Sequence, residues 1–464
     1  MWVDVGMKMT GLAKEIYESV SEMPIISPHG HVDPVLLLDD RPLGEPTSAL
    51  IRPDHYITRL MHTHGFDYDG LNFGKELDLN QGEAIFLDFA RFLPMMAGTT
   101  VAYWLDEQLS DNFNLSYEQV VTSPKDSYSQ IAKSLSSSKF RPSEILNRAN
   151  VAVLATTDSY GSDLSVHSEI AWKGATKAKV KPAFRPEGLF DISQSGWVGE
   201  IGKLANATDL EIDSFSKLKE AIRRSLDYFI ANGAISIDIS PRSFAAHRLT
   251  DGTADGIFSR RVKGGAEDLD QSEVVSFMEN MTYLMIELAC EFSLPITIHP
   301  GIIRNHHLDT FQRYGGDRGA DIPRQVLVTD AISEVLNRFG TSSKLKLTLF
   351  TVDETIYSRE LAPLAGFYPS VFIGYPWWFI DSPQGLSRFF DAVVPQVGFY
   401  KLSGFIDDTR ALLSIAVRHK MARSSEAKYL ANLVEDGFMT RERAMVVAGD
   451  LVSEIPSNCF SLNR

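Results

Sequence analysis

The segment PIISPHGHVDP, residues 24–34, sets a short apolar run, 24–28, directly against His29-Gly30-His31. Residues i and i+2 of an extended chain point to one face, so both imidazoles are offered to the same point in space. Gly30 between them leaves room for a close approach. Runs of the same kind recur at 151–157, 180–185, 234–239, 295–300, 345–352, 370–375 and 400–406. They are rich in β-branched residues and bounded by Gly, Pro, Asp or Ser. Helical periods lie between them, such as DSFSKLKEAIRRSLDYFIANG at 213–233 and SEVVSFMENMTYLMIELACEFSL at 272–294. Eight strand-then-helix units predict an α/β protein built as a distorted (β/α)8 TIM barrel. An open doubly wound sheet would more often show fewer strands and a glycine-rich first turn, and no phosphate-cradling glycine motif is present.

The stretch 35–150 breaks this pattern. It lacks strand-like alternation and reads as helices, among them QGEAIFLDFARFLPMM and TVAYWLDEQLSDNF. The division that follows is a catalytic barrel made of 1–34 and 151–464, with a helical insertion domain, 35–150, after the first strand and contributing to the active site.

At 464 residues, 44% of them hydrophobic, the chain can bury a sizeable core. A formal net charge of -15 argues against nucleic acid or an anionic membrane surface as partners. An acidic small molecule would need a local basic pocket. Cys290 and Cys459 stand far apart and outside any CxxC or Cys/His cluster, which predicts two reduced core residues and a cytoplasmic setting. The opening MWVDVGMKMTGLAKEIYESV lacks the basic and apolar regions of a signal peptide, and no run approaches ~18 apolar residues, so no membrane association is expected.

Barrel chemistry sits at the C-terminal ends of the strands. There the sequence places His29 and His31, Thr156 to Asp158, Arg185, Asp238, His299, Asp353, Trp377 and Trp378, and Asp407 to Arg410. An isolated His-x-His also suits two hydrogen-bonding residues at a strand end. An acid at the end of the last strand, which neighbours the first around a barrel, favours ligation instead. Two imidazoles and one carboxylate suit Zn2+, Mn2+ or Fe2+ and leave positions open for substrate or water. Asp407 and Asp408 cannot both face inward from an extended backbone, and spacing alone leaves the choice open. Arg185, Arg304 and Arg410 at one rim of an acidic protein point to a carboxylate-bearing substrate, which guanidinium forks bind in a bidentate way. His62, His64 and His419 read as surface or helix-face residues, and Asp158 as a wall residue at most.

Several segments resemble, in order, the uronate isomerases of the amidohydrolase superfamily. These are PIISPHGHVDP (24–34), PDHYITRLMHTHG (53–65), VLATTDSYGSDL (153–164), KPAFRPEGL (181–189), TIHPGIIRNHH (297–307), GYPWWFIDSPQGL (374–386) and LSGFIDDTR (402–410). The resemblance implies that His29, His31 and Asp408 hold one divalent metal. It also implies that His55 and Tyr56, from the insertion, line a substrate cavity with Arg185, Asp238, His299, Arg304, Trp377, Trp378 and Arg410. The implied reaction interconverts D-glucuronate with D-fructuronate and D-galacturonate with D-tagaturonate, and a homo-oligomer is a family-level expectation. The chain departs from the pattern at Ile239-Ser240, where the family carries His-Gly, at Thr409, and in SIAVRHKMARS after the last strand.

For such an isomerisation, Tyr56 and Asp408 are the candidates for shuttling the proton, with His55 assisting and Arg410 holding the pair. Asp408 is the alternative base if Tyr56 is not ionised. Arg185 and Arg304 would grip the carboxylate, and Trp377 and Trp378 would stack on a sugar face or pack the barrel. Two rivals remain on sequence alone. One is a mononuclear hydrolase or deaminase acting on a carboxylate-bearing small molecule; the other is a sugar-acid binding barrel without turnover.

Overall fold

The computed structural model describes residues 7–174 and 176–462. The first six residues, read above for a signal peptide, lie outside them. Nine short strands are present: β1 Ile25–Ser27, β2 Val151–Ser159, β3 Lys179–Arg185, β4 Ser236–Ile239, β5 Ile296–Ile298, β6 Ile302–Ile303, β7 Ile322–Pro323, β8 Leu347–Leu349 and β9 Val371–Ile373. Seven form one parallel sheet in the order β1-β2-β3-β4-β5-β8-β9. β-branched residues supply most of the buried positions in β4 and β5, as in Ile237, Ile239 and Ile296 to Ile298. The sheet curls with helices outside it, giving the distorted (β/α)8 barrel.

The eighth run, 400–406, does not form the expected strand. It contributes a single parallel bridge, Leu402 to Ile373. Beyond it Gly404 takes φ +76, and a Cβ there would sit 2.9 Å from Pro456. Asp408 follows at φ +46, so the backbone cannot continue as a ladder. The seam to β1 is closed instead by the His31 N–H donating to the Thr409 carbonyl at 2.9 Å. Gly30 makes that approach possible, since its Cβ position lies 3.4 Å from Asp407 Oδ1.

The two long helical periods appear as Phe215–Ala231, capped by Ser214, and Gln271–Phe292, opened by an Asp270/Glu273 capping box. Between β1 and β2 every described element is helical, including His55–Thr63, Leu79–Phe92 and Thr100–Phe113. The antiparallel pair β6/β7, unforeseen from sequence, throws out an excursion, 304–321, over the barrel end.

Arg418, on the helix Ser414–Glu435, fixes the helical segment to the barrel. Its guanidinium donates to Asp54 Oδ2 at 3.1 Å and to the Asp407 carbonyl at 3.0 Å, and lies 3.9 Å over the Trp104 ring. Asp54 in turn caps the His55 helix by accepting from the Tyr56 N–H. Removing one partner of such a buried pair leaves a bare charge, at a cost of about 3–5 kcal/mol.

The same helix buries Glu426, which accepts from the Tyr375 hydroxyl at 2.8 Å. Burial pushes its carboxyl up to about 7. From the ordinary 4.5 up to about 7 the folded chain therefore binds more protons here than the unfolded chain, and stability falls as pH rises across that window. Glu426→Gln keeps the acceptor for Tyr375 and removes the charge. The expected outcome is a stability gain of about 1–3 kcal/mol at pH 8 that vanishes by pH 5 in thermal melts. An equal effect at both pH values would show that the charge is not responsible.

Candidate metal centre and cavity

A cavity of about 250 Å3 opens at the C-terminal ends of the strands. Of the sequence-predicted site residues, His29, His31, His55, Arg185, Asp238, His299, Arg304, Trp377, Trp378, Asp408 and Arg410 all border it; Tyr56 does not.

His29 and His31 leave β1 and turn their Nε2 atoms onto one oxygen, Asp408 Oδ1, at 3.3 and 2.9 Å. Ligand atoms around a tetrahedral ion with bonds of about 2.0–2.1 Å stand roughly 3.3 Å apart, so the spacing fits a cation between them. The remaining nitrogens differ, one hydrogen-bonded and one only facing an acid. His31 Nδ1 meets Thr157 Oγ1 at 2.6 Å, and His29 Nδ1 faces Asp238 Oδ1 at 3.8 Å. Such outer partners fix which ring nitrogen is free to ligate.

Burial pushes His31 down to about 4, which leaves it neutral, as a ligand must be. Burial also works to lower His29, but Asp238 and Asp408 outweigh it and hold that ring above its usual value. Burial works against the Asp408 charge, yet hydrogen bonds from His29 and His31 keep its carboxyl well below the ordinary range. The positive φ of Asp408 decides which neighbour turns toward the two histidines. Asp408 faces the histidines, while Asp407 is buried and meets His419 Nε2 at 3.1 Å. His419, expected on a surface or helix face, is thus a buried partner of Asp407.

A second trio shares His29. His299 Nδ1 lies 3.0 Å from Asp238 Oδ1, and the His299 ring stacks on Phe350 at 4.3 Å. Its Nε2 is buried with no partner.

His55 accepts from the Trp378 indole N–H through Nε2 at 2.6 Å, and burial takes the ring down to about 4, so it is neutral. Tyr56 corrects the sequence reading. Its ring is buried beside Trp104, and its hydroxyl meets Asp381 Oδ2 at 3.2 Å. Burial, reinforced by Asp381, raises its pKa well above 10, the opposite of what a phenolate base requires. Trp377 and Trp378 stack at 5.2 Å and are almost wholly buried, forming a wall with the Trp377 indole N–H unpartnered. Trp378 sits at φ +48, a strained conformation costing about 1–3 kcal/mol that fixes the wall's shape.

The three arginines differ in what they already hold. Arg185 Nε donates to Glu187 Oε2 at 3.0 Å and stands 3.6 Å from Asp238. Arg410 donates to Asp317 Oδ2 at 2.9 Å rather than holding Tyr56 and Asp408. Arg304 donates to Ser240 Oγ at 3.1 Å and lies 4.5 Å over the Trp378 ring, with no carboxylate at ion-pair distance among the described residues.

Several cavity residues escaped the sequence reading: Ser240, Asn305, Gly316, Asp317 and Asp321. Four of these ride the excursion between β6 and β7, and its glycine-rich GGDRGAD turn was the available signal. Asp158 lies outside the cavity, bonded to Thr156 Oγ1 at 2.7 Å, and Asp353 caps a turn through Thr355.

A parallel α/β barrel with paired histidines after its first strand and an acid after its last run defines the class: an α/β-barrel protein with a candidate metal centre at the strand ends. The chain belongs to the glucuronate isomerase family, whose model matches residues 6–460. A uronate isomerase of Cutibacterium acnes is 37% identical over 97% of this chain and 95% of its own length. The crystal structure of glucuronate isomerase from Caulobacter crescentus, 32% identical, superposes with a TM-score of 0.93 over 100% of this chain and 98% of its own. A uronate isomerase from Thermotoga maritima shares the fold at 23% identity, with a TM-score of 0.91 over 99% of this chain and 100% of its own.

Replacing Thr157 with Val removes the Nδ1 partner of His31 without touching a ligand atom. Zn2+ affinity, read by competition with a chromogenic chelator, should fall about 10–100-fold. An unchanged affinity would remove Thr157 from the site.

Proposed function

We propose that the protein is a uronate isomerase that interconverts D-glucuronate with D-fructuronate and D-galacturonate with D-tagaturonate. His29, His31 and Asp408 would hold one divalent ion, Zn2+ in preference to Mn2+ or Fe2+ because nitrogen donors and a compact set suit it. When bound, that ion supplies Lewis-acid stabilisation of the negative oxygen that develops as the carbonyl moves between C1 and C2. The observation that carries this reading is the pairing of that donor set with Arg304, the one guanidinium of the three with no carboxylate at ion-pair distance among the described residues.

Arg304 is the proposed anchor for the C6 carboxylate, its face supported by Trp378. Arg185 and Arg410, each already paired, would orient neighbouring hydroxyls. The proton passes from C2 to C1 on one face of the sugar, and Asp408 is the proposed carrier. Both histidines converge on its Oδ1, and Asp408 borders the cavity. Neutral His55 borders the same space and would hold a sugar hydroxyl. The helices from 35 to 150 would then act as an insertion domain that delivers His55 to the barrel.

The unpartnered Nε2 of His299 favours a second reading, in which that atom would hold an attacking water and the chemistry would be hydrolysis. Product analysis separates the two. Proton NMR in D2O with glucuronate and galacturonate should show ketose signals together with deuterium incorporation from solvent. Chelation should lower the rate at least a hundredfold, with recovery on adding Zn2+. Arg304→Met should raise KM about 10–100-fold while metal content stays unchanged, the loss expected for a desolvated charge-assisted pair. Inertness of the metal-loaded protein toward every sugar acid tried would overturn the proposal.

A further inference from the structure

Arg304 stands between two anions that could claim it: a substrate carboxylate and the protein's own Asp321. Asp321 is 2% exposed and borders the same cavity. Its Oδ1 accepts the Asn305 N–H at 2.6 Å, but its Oδ2 is buried without a partner. A buried carboxylate oxygen in that state gains strongly from any cation that reaches it. Asp321 is also the leading acidic influence on Arg304, yet the two do not form an ion pair.

The guanidinium is held instead by a hydroxyl and an aromatic ring. The Ser240 backbone N–H donates to Glu187 Oε1 at 2.8 Å, and its hydroxyl donates to the His299 carbonyl at 2.9 Å. With its proton spent on His299, Ser240 Oγ presents only lone pairs to Arg304 Nη2, at 3.1 Å. Trp378 restrains the flat face of the same group. We propose that Ser240 is a positioning residue that holds Arg304 toward the substrate carboxylate and away from Asp321, which would otherwise neutralise it. The inference rests on Arg304 being the carboxylate anchor.

The test uses the full-length, metal-loaded protein and calorimetric binding of D-gluconate, which bears the carboxylate but has no aldehyde to isomerise, against the neutral D-gluconamide. Ser240→Ala should weaken gluconate about tenfold, the value of one hydrogen bond to a charged group, and gluconamide less than threefold. Ser240→Thr, which keeps the hydroxyl, should stay within threefold of the parent. In the double variant Ser240→Ala/Asp321→Asn the competing charge is gone, and most of the lost gluconate affinity should return. With glucuronate, Ser240→Ala should raise KM about tenfold and leave kcat within threefold. Equal losses for acid and amide, or no recovery in the double variant, would reduce Ser240 to a packing role and overturn the proposal. A parent protein that binds gluconate no better than gluconamide would remove the anchor and this inference with it. The expected affinities in a protein without turnover would support the positioning role and overturn only the isomerase reading.

Discussion

One hydrogen bond, from the His31 N–H to the Thr409 carbonyl, joins the first strand to the end of the last run where a full ladder is missing. The donor set depends on that seam. Because the chain leaves extended geometry at Gly404 and again at Asp408, the Asp408 carboxylate swings inward against two imidazoles just past the first strand, whose rings stand edge to face at 82°. Asp407 and Asp408 therefore point to opposite sides, Asp407 toward His419 and Asp408 toward His31, while the Thr409 carbonyl makes the seam.

The second constraint is electrostatic. The chain is acidic overall, yet its cavity gathers three guanidiniums, and the protein supplies an acid to two of them. Burial decides the outcome for each. A paired guanidinium in low dielectric is largely spent, whereas Arg304, stacked on Trp378 and held by a neutral hydroxyl, keeps its charge available. The same burial forces His31 and His55 to be neutral and keeps Tyr56 protonated. In the proposed reaction this divides the labour between a cation-holding floor, an anion-holding wall and neutral hydrogen-bonding groups between them.

The helical segment matters because it is tied to the barrel through charge as well as packing. Arg418 reaches Asp54 on one side and the Asp407 carbonyl on the other, so the helix that carries His55 and the turn that carries Asp408 share one guanidinium. The excursion between β6 and β7 is anchored from the other direction, with Tyr314 and Arg313 bonded to Asp69 and Tyr68 bonded to the Arg318 carbonyl. The cavity is therefore walled by three parts of the chain that are remote in sequence.

The sequence by itself determined the barrel, the helical character of 35–150 and the set of polar strand ends, because period-2 runs, helical periods and turn residues are local properties of a chain. It also marked His29 and His31 as a pair by their i, i+2 spacing, although the strand ends at Ser27 and their convergence on Asp408 Oδ1 is made by the turn that follows. Only the tertiary structure decided that Asp408 rather than Asp407 turns inward, since that rests on a positive φ at the seam that no spacing encodes. It alone took Tyr56 out of the cavity and made His419 a buried partner, through packing against Trp104 and Asp407. It alone distinguished Arg304 from Arg185 and Arg410, because which arginine is left unpaired is settled by acids such as Glu187 and Asp317 that approach through space, the second of them from the excursion between β6 and β7. Charge type is written residue by residue; charge compensation exists only once the chain has folded.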